Sequence, residues 1–414
     1  MYLNGSKWNM TRKRRKRSSP LRVLVLVVLI AGMIYVNQVV IPNTPSPFTP
    51  TPTPTRSPES FVNQAQDLFK EGKLSQAIDA YEDAILSDPE NASNYVELAR
   101  LEILVGRYEE ALENAELALL LNSNNPLAHS MRAWAQNFLG DPLEAEASVK
   151  RALEINENYA VAHAIYAEIL FDNGSIERGA EESRIALELD PNSLEVRRAR
   201  GYILFNTQNF EEAVEQFDAA IAINDKIPNL HLLKGYSYYA MGEYDLAIEA
   251  LNQANALNPE DSEPDLVASR VYFTYGEYAK AAQYAEQAVS NEPANARLRG
   301  NYGVMLSKNG KPDEAIDQLS LAIQGGITED GEVIEGLPLD YDLRIIEYYS
   351  TYGLTLARAN RCGQAIPIFQ TMLSVVPDNE VAVFNAEAGL EICQQNLEAG
   401  QFPSEVEVTE TPEP

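Results

Sequence analysis

The 414-residue sequence is poor in the residues that build metal and disulfide sites, with only 2 Cys and 3 His. This scarcity excludes a disulfide-dense scaffold, a zinc-finger array and an iron–sulfur protein. Basic residues are also few, because 32 Lys plus Arg stand against 61 Asp plus Glu and give a net charge of −29. No nucleic-acid partner is therefore expected. Hydrophobic residues make up 45% of the chain, which excludes wholesale disorder.

The common catalytic and nucleotide-binding motifs are missing as well. The sequence contains no HExxH, Walker or GxSxG motif, no EF-hand loop and no Cys-His pair at metal-binding spacing. The three histidines are regularly spaced, because the separation between His163 and His231 is twice that between His129 and His163. This regularity predicts one packing position rather than a metal site. We expect no enzyme activity, no catalytic or metal-binding residue, no cofactor and no small-molecule substrate.

Charge is distributed unevenly along the chain. No Asp or Glu occurs before Glu59, whereas the block Arg12–Arg17 is entirely basic and precedes a mainly apolar run, Val23–Ile41. As a helix this run is about 28 Å long, close to the roughly 30 Å core of a bilayer. By the positive-inside rule, residues 1–22 are then cytoplasmic, residues 23–41 form a single-pass helix in the cell membrane, and the remainder is extracytoplasmic.

A cleaved signal peptide is the alternative interpretation of the same run. Its uninterrupted part, Val23–Val36, fits the usual length of about 7 to 15 residues for such a segment. Cleavage requires small residues after the apolar part, but Ala31 and Gly32 lie in its middle. The pattern favours an uncleaved signal-anchor and leaves cleavage open.

A segment rich in Pro and Thr, residues 42–58, follows the apolar run and contains seven Pro and five Thr. Such a composition favours polyproline II geometry at about 3.1 Å per residue, so it predicts a semi-rigid stalk with a reach of roughly 50 Å. The same pattern also suits a ligand for proline-binding domains. Both interpretations stay open, with the spacer favoured.

The rest of the chain contains an internal repeat with a period of about 34 residues. One small residue marks the same position in eight successive repeats and returns after an insertion in a ninth. These residues are Ala65, Ala99, Ala133, Ala167, Gly201, Gly235, Ser269, Gly303 and Gly353. Each repeat holds two helical patterns separated by a turn that usually contains Gly. Small residues at a fixed position let two helices approach closely.

The sixth repeat carries the most complete set of recurring residues. They are Gly235, Tyr238, Gly242, Tyr244, Ala247, Ala254 and Pro259. This pattern resembles the tetratricopeptide repeat over about residues 59–394. The resemblance implies an all-α fold, a right-handed α-solenoid of about nine helix-turn-helix repeats plus a capping helix, which would occupy residues 59–398 after the transmembrane helix.

Two segments depart from the repeat. Residues 325–341 are an insertion in which Asp330-Gly331 lies between β-prone residues, which predicts a small hairpin or an ordered loop. Whether the insertion contacts a partner stays open. Residues 399–414 are acidic and contain Pro, which predicts a disordered tail.

The two cysteines fall at the end of the predicted solenoid. Cys362 begins the second helix of the ninth repeat, and Cys393 lies near the end of the capping helix, at about residues 379–397. In stacked repeats both lie at the same edge of neighbouring layers. A disulfide and two separate buried thiols are both consistent with the sequence.

The resemblance also implies where a partner binds. In a tetratricopeptide superhelix the first helix of each repeat lines the concave surface, so the residues one and four positions after the small residue face the groove. At these positions, and at one residue in the preceding turn of helix, the sequence has mainly aromatic and Arg side chains. The predicted partner-binding residues are Arg100, Trp134, Phe171, Arg198, Tyr202, Phe205, Tyr236, Tyr239, Arg270 and Phe273. Such side chains are enriched at interface hot spots; a purely structural role of the aromatic position is the alternative.

These features together predict a membrane-anchored, extracytoplasmic scaffold that binds protein or peptide partners in its concave groove. The alternative is a regulatory or substrate-presenting subunit of a membrane-associated enzyme or secretion complex. The two hypotheses share one fold and differ in the partner.

Overall fold

The computed structural model describes residues 20–35, 56–328 and 331–399. The chain divides into two parts, Met1–Ser57 and Pro58–Pro414. The predicted stalk up to residue 55 and the acidic tail from residue 400 lie outside the described residues, whereas Pro58 is already the first residue of a helix.

The first part contains one described helix, α1, which spans Pro20–Tyr35 and has 16 residues. It covers most of the predicted transmembrane run, whose last residues lie outside the described part of the chain. Among the described helices, none combines the length and the apolar character that a membrane crossing requires. The predicted transmembrane helix over residues 23–41 is therefore not supported by the structure.

The second part is built almost entirely of helices, arranged as nine antiparallel pairs and one final helix. The pairs, which we number repeats 1 to 9, are α2 (Pro58–Lys70) with α3 (Leu74–Ser87), α4 (Ala92–Leu104) with α5 (Tyr108–Leu121), α6 (Pro126–Phe138) with α7 (Pro142–Ile155), α8 (Ala160–Asp172) with α9 (Ile176–Leu189), α10 (Leu194–Asn206) with α11 (Phe210–Ile223), α12 (Pro228–Met241) with α13 (Tyr244–Leu257), α14 (Glu263–Tyr275) with α15 (Tyr278–Asn291), α16 (Ala296–Lys308) with α17 (Pro312–Gln324), and α18 (Leu343–Arg358) with α19 (Cys362–Val375). The final helix is α20, Glu380–Glu398. The predicted all-α repeat solenoid is confirmed.

Local sequence signals set where these helices begin and end. Several helices that open a repeat, and the final helix, follow an Asn, Ser or Asp whose side chain accepts a hydrogen bond from a backbone N–H of the first turn. These caps are Asn91, Asn125, Ser193, Asn295, Asp342 and Asn379. At the turn inside each repeat the residue with positive φ is usually Gly, as at Gly242 with φ 79°. Gln208 and Asn360 occupy this position in repeats 5 and 9, with φ of 65° and 61°. Asn tolerates this region better than most side chains do, whereas Gln is the less usual residue there.

The small residues of the repeat lie where the two helices of a pair touch. Gly201 faces the fully buried ring of Phe217, and a Cβ added to Gly201 would lie 2.5 Å from that ring. Gly303 has the same relation to Leu319, again at 2.5 Å. In repeat 2 the first helix carries Ala99, and the corresponding residue of the second helix is the small Ala115. Gly on the first helix thus makes room for a large side chain on the second helix in repeats 5 and 8.

A second regularity ties the loop between repeats to the first helix that follows it. A side-chain donor four residues before the small residue reaches the backbone carbonyl oxygen six residues before itself, at 2.7 to 3.3 Å. The donors are Tyr95, His129, His163, Arg197, His231 and Arg299. Because a carbonyl can only accept, the Nε2 atom of each His carries the proton. The three histidines therefore serve one repeated structural purpose.

The insertion contains a two-stranded antiparallel hairpin of β1 (Gly326–Ile327) and β2 (Val333–Ile334). Ile334 is buried, whereas Ile327 and Val333 form an exposed cross-strand pair. Two hydrogen bonds fix the insertion to the solenoid. The N–H of Leu337 donates to the carbonyl of Ala322 at 2.9 Å, and the Tyr349 hydroxyl donates to the carbonyl of Leu337 at 2.9 Å.

The end of the solenoid is closed by α20, which packs on repeat 9. The Phe369 ring lies between Gly353 and Gly389, and a Cβ added to Gly389 would lie 2.0 Å from it. A disulfide joins Cys362 to Cys393, whose Cα atoms are 5.5 Å apart. The cap is therefore held by close packing and by a covalent link.

The array curls so that its first repeat meets the loop before repeat 6. The Asn224 side-chain amide donates to the carbonyl of Phe69 at 3.2 Å, and a Cβ added to Gly72 would lie 2.1 Å from the Lys226 side chain. Buried Ile227 belongs to the same hydrophobic cluster as the cores of repeats 1 to 4. Repeats 1 to 6 thus complete one closed turn of the superhelix.

Candidate partner-binding site

Six of the predicted groove residues form an aromatic row along the first helices of repeats 4 to 7. The aromatic row consists of Phe171, Tyr202, Phe205, Tyr236, Tyr239 and Phe273, all of them half-buried. Its rings meet between neighbouring repeats: the centroids of Phe171 and Tyr202 are 6.1 Å apart, and those of Phe205 and Tyr236 are 6.2 Å apart. Aromatic pairs at such distances stabilise one another. The row is therefore held by packing while part of each ring stays accessible.

The tyrosine hydroxyls of the row are held by polar partners on adjacent repeats. Tyr202 donates to Asp172 Oδ1 at 2.7 Å, and Tyr236 donates to Glu263 Oε1. Burial raises the pKa of Tyr202 and Tyr236 above the ordinary value, and the neighbouring carboxylates raise the pKa of each further. Both phenols stay protonated at neutral pH and act as hydrogen-bond donors.

Trp134 and Arg198 lie in the interior instead of on an accessible groove wall. Their side chains are 2% and 5% exposed, and the Arg198 guanidinium carbon lies 4.6 Å from the centroid of the Trp134 ring. Arg198 also donates from Nη2 to both carboxylate oxygens of buried Glu168. Burial raises the pKa of Glu168, and the charge of Arg198 opposes that rise. A partner could contact these two side chains only by entering the closed turn.

Arg100 links two repeats across that turn. Its Nε donates to Glu195 Oε1 at 2.5 Å, which joins repeat 2 to repeat 5. Burial alone would lower the pKa of Arg100 and raise the pKa of Glu195. Their mutual attraction outweighs burial, so the pKa of Arg100 is raised and that of Glu195 is lowered. The pair stays ionised; breaking a fully buried pair costs about 3 to 5 kcal/mol, and solvent at the partly exposed Arg100 side chain lowers that cost here.

Arg270 and Phe273 lie on the first helix of repeat 7. Arg270 reaches towards repeat 9, where its Nη1 lies 3.7 Å from Glu347 Oε2 and its Nη2 donates to the Tyr348 hydroxyl at 3.4 Å. Phe273 packs edge-on against Tyr278 at 5.8 Å between ring centroids. Arg270 therefore has a structural partner, and Phe273 extends the accessible aromatic row.

Sequence reasoning missed three tyrosines that enlarge this surface. Tyr275 and Tyr278 are 58% and 41% exposed, and Tyr244 lies 5.7 Å from Tyr275 and 6.2 Å from Tyr239 between ring centroids. The sequence did contain a signal for two of them, because Tyr244 and Tyr278 are one repeat length apart and each begins the second helix of its repeat. The aromatic surface therefore continues from the row to the turns of repeats 6 and 7.

Within the parts of the chain that the structure describes, no group of His, Cys, Asp and Glu is arranged to hold a metal ion. His129 and His163 occupy equivalent positions but differ in their surroundings. Burial lowers the pKa of His129, whereas a 2.6 Å hydrogen bond between Nδ1 and Glu182 raises the pKa of His163.

The chain is similar to several solved structures at low sequence identity. The crystal structure of the APC/C hetero-tetramer Cut9-Hcn1 matches with 16% identity and a TM-score of 0.48, over 69% of this chain and 54% of that chain, so this chain spans about half the length of that relative. PilW, a type IV pilus biogenesis factor, matches with 22% identity and a TM-score of 0.44, over 47% of this chain and 90% of that one. A tetratricopeptide repeat protein from Parabacteroides merdae matches with 17% identity and a TM-score of 0.40, over 60% and 98%.

No curated protein matches the chain. Family models described as tetratricopeptide repeat match residues 68–135 and 272–324, residues 126–151, residues 167–229 and residues 228–261. Together these matches span more than half of the sequence, and they fall on the helix pairs described above. The chain therefore belongs to the tetratricopeptide repeat family.

Proposed function

We propose that this chain is a membrane-anchored, extracytoplasmic scaffold that binds an extended protein segment along the aromatic row of repeats 4 to 7. The observation that carries the binding proposal is the row itself. Its rings are only half-buried, and it continues into Tyr275, which is 58% exposed. Aromatic side chains bury much area at little cost in conformational entropy, and they are enriched at interface hot spots.

The closed first turn supports this choice of surface. Other first-helix positions of repeats 2 and 5 are occupied by internal contacts, namely Arg100 with Glu195 and Arg198 with Glu168. A partner binding there would have to displace buried ion pairs. Along repeats 4 to 7 a partner can cover ring faces without breaking such contacts, so the cost of binding is lower.

The anchoring part of the proposal rests on sequence pattern alone. The basic block Arg12–Arg17 precedes the apolar run Val23–Ile41, and this combination is typical of a signal-anchor with a cytoplasmic N-terminus. The net negative charge of the repeats is compatible with a position on the far side of the membrane, since acidic residues have little effect on orientation.

Site-specific photocrosslinking tests the binding proposal. A benzophenone amino acid replaces Tyr239 in the full-length chain in its native membrane, and a second chain carries it at Tyr284, a second-helix position outside the row. We expect a discrete adduct from position 239 that is absent from position 284. The adduct from position 239 should also be lost when Tyr202→Ala and Tyr236→Ala are added. Equal adducts from both positions, or an adduct that survives the double substitution, would show that the row is not the binding surface.

Topology is tested separately, so that either half of the proposal can fail alone. Full-length chain should stay in the membrane pellet after alkaline extraction, and protease added to cells whose outer layers are permeabilised should digest the repeats. Repeats that are protected until the cell membrane is broken would refute the extracytoplasmic position, and release of the chain by alkali would refute anchoring; neither outcome would affect the binding result.

A further inference from the structure

A cavity of about 660 Å³ lies where repeat 1 closes against the loops before repeats 6 and 7. Its wall combines the turns of repeats 1 and 2 with side chains from repeats 3 and 5 and with the two loops. This volume falls in the range of about 300 to 1,000 Å³ that small-molecule sites occupy. No residue of the aromatic row lines it. The cavity is therefore a separate feature from the surface proposed for protein partners.

The wall of the cavity is more basic than the rest of the chain. Its basic residues are Lys73, Arg107, Arg198 and Lys226, and its acidic residues are Glu260 and Asp261. From Glu59 onwards, by contrast, the chain has 23 basic residues against 61 acidic ones. Three of these cations pair with carboxylates that do not line the cavity, Lys73 with Glu71, Arg198 with Glu168 and Lys226 with Asp225. The two lysine pairs are largely solvent-exposed and therefore weak, so the wall still favours an anionic ligand over the acidic surface around it.

Arg198 retains hydrogen-bonding capacity inside this wall. It is 5% exposed, and its contact with Glu168 uses only Nη2. Within the described residues, the buried Nε has no hydrogen-bond partner. Buried donors in proteins are nearly always paired with protein, water or ligand, and a carboxylate is the acceptor that a guanidinium binds best. Because Nε itself has almost no accessible surface, a ligand in the cavity would pair with it only after a small shift of the Arg198 side chain, which lines the cavity.

Aromatic rings form another part of the wall. The rings of Tyr108 and Phe138 stack with centroids 4.4 Å apart, and Phe138 lies 6.2 Å from Trp134. All three line the cavity. A cationic wall beside an aromatic one selects a ligand with an acidic group and a flat apolar body.

We propose that the cavity binds an aromatic carboxylate, with the acidic group near Arg198 and the other basic residues of the wall, Lys73, Arg107 and Lys226, which we call the basic residues of the mouth. The apolar body of the ligand lies against Tyr108 and Phe138. Such a group is carried either by a free organic acid or by the end of a peptide chain, and one titration separates these sources. The site exists only while repeat 1 is closed on the loop before repeat 6, because both contribute to its wall.

Tryptophan fluorescence provides a direct readout. Trp8 and Trp134 are the two tryptophans of the chain, so Trp8→Phe in the full-length protein leaves Trp134, which lines the cavity, as the single fluorophore. We expect phenylacetate to give a saturable change. Phenylacetamide, which lacks the charge, and acetate, which lacks the ring, should each bind at least tenfold more weakly. If acetyl-glycyl-phenylalanine binds more tightly than phenylacetate, the site is assigned to the ends of peptide chains. If it binds more weakly than phenylacetate, the site is assigned to free organic acids.

Two pairs of substitutions provide the control. Arg107→Gln with Lys226→Gln removes two cations of the mouth, whereas Arg151→Gln with Lys280→Gln removes two cations of second helices outside the cavity. The first pair should weaken phenylacetate binding at least tenfold, and the second should change it less than twofold. The proposal is wrong if neither carboxylate probe gives a saturable signal, if phenylacetamide binds as tightly as phenylacetate, or if both pairs have the same effect.

Discussion

The contact between Gly201 and Phe217 gives the sharpest prediction about how the repeats hold together. A Cβ at position 201 would lie 2.5 Å from the Phe217 ring, which is fully buried. Gly201→Ala should therefore be destabilising through overpacking, by about 1 to 3 kcal/mol. The better helix propensity of Ala returns about 1 kcal/mol. The net expected loss in the free energy of unfolding is up to about 2 kcal/mol.

The effect of Gly201→Ala on the free energy of unfolding should change sign when the Phe217 ring is removed. Phe217→Ala alone leaves a cavity and should cost about 3 to 5 kcal/mol. In that background Gly201→Ala meets no ring, so the propensity term remains and the variant should be more stable than Phe217→Ala alone by about 1 kcal/mol. The double-mutant cycle therefore predicts a coupling of about 1 to 3 kcal/mol.

Hydrogen exchange is the suitable assay, because solenoids unfold in parts and a single midpoint is poorly defined. The slowest amides of α10 and α11 report on this contact. Gly363→Ala is the control, since a Cβ added there meets no atom within 4 Å, and it should not reduce protection in either background. If Gly201→Ala increased protection equally with and without the Phe217 ring, the steric explanation of the glycine positions would be refuted.

Three further predictions concern charge and the cap. Burial raises the pKa of Glu102 to about 7, so ionising it opposes folding; Glu102→Gln should raise stability above pH 7 and have little effect near pH 4, as chemical denaturation at the two pH values would measure. The raised pKa of His163 adds stability below the unfolded pKa of about 6.5, and this stability is lost as pH rises through the folded pKa. The lowered pKa of His129 has the opposite effect, because it adds stability above about pH 6.5 that is lost on acidification. Replacing either His by Gln should therefore flatten the corresponding part of the curve of stability against pH. Reduction of the Cys362–Cys393 bridge, which closes a loop with a sequence separation of 31, should weaken protection of α20 by up to about 3 to 4 kcal/mol, and unchanged exchange after reduction would contradict a stabilising role.

Much of the fold could be predicted because tetratricopeptide contacts are local in sequence. The position shared by Gly201, Gly303 and the other small residues marked every helix pair correctly. The cap and the adjacency of Cys362 and Cys393 followed from stacking one more layer. The accessible part of the aromatic surface was harder to predict, because the same rule that selected Tyr239 and Phe273 also selected Trp134, which is 2% exposed. The position of a residue in its repeat is visible in the sequence, but its exposure depends on repeats further along the chain.

The sequence by itself determined the helices, their pairing, the repeat length and the regular use of small residues and of loop-closing donors. Each of these depends on contacts within a repeat or between neighbours. Only the tertiary structure decided that the array closes on itself, as in the bond from Asn224 to Phe69 across a sequence separation of 155, and that Arg198 is consequently buried beside a cavity. Closure results from the small rotation between successive repeats, summed over five interfaces. Because side-chain packing at every interface sets that rotation, no single motif in the sequence encodes it.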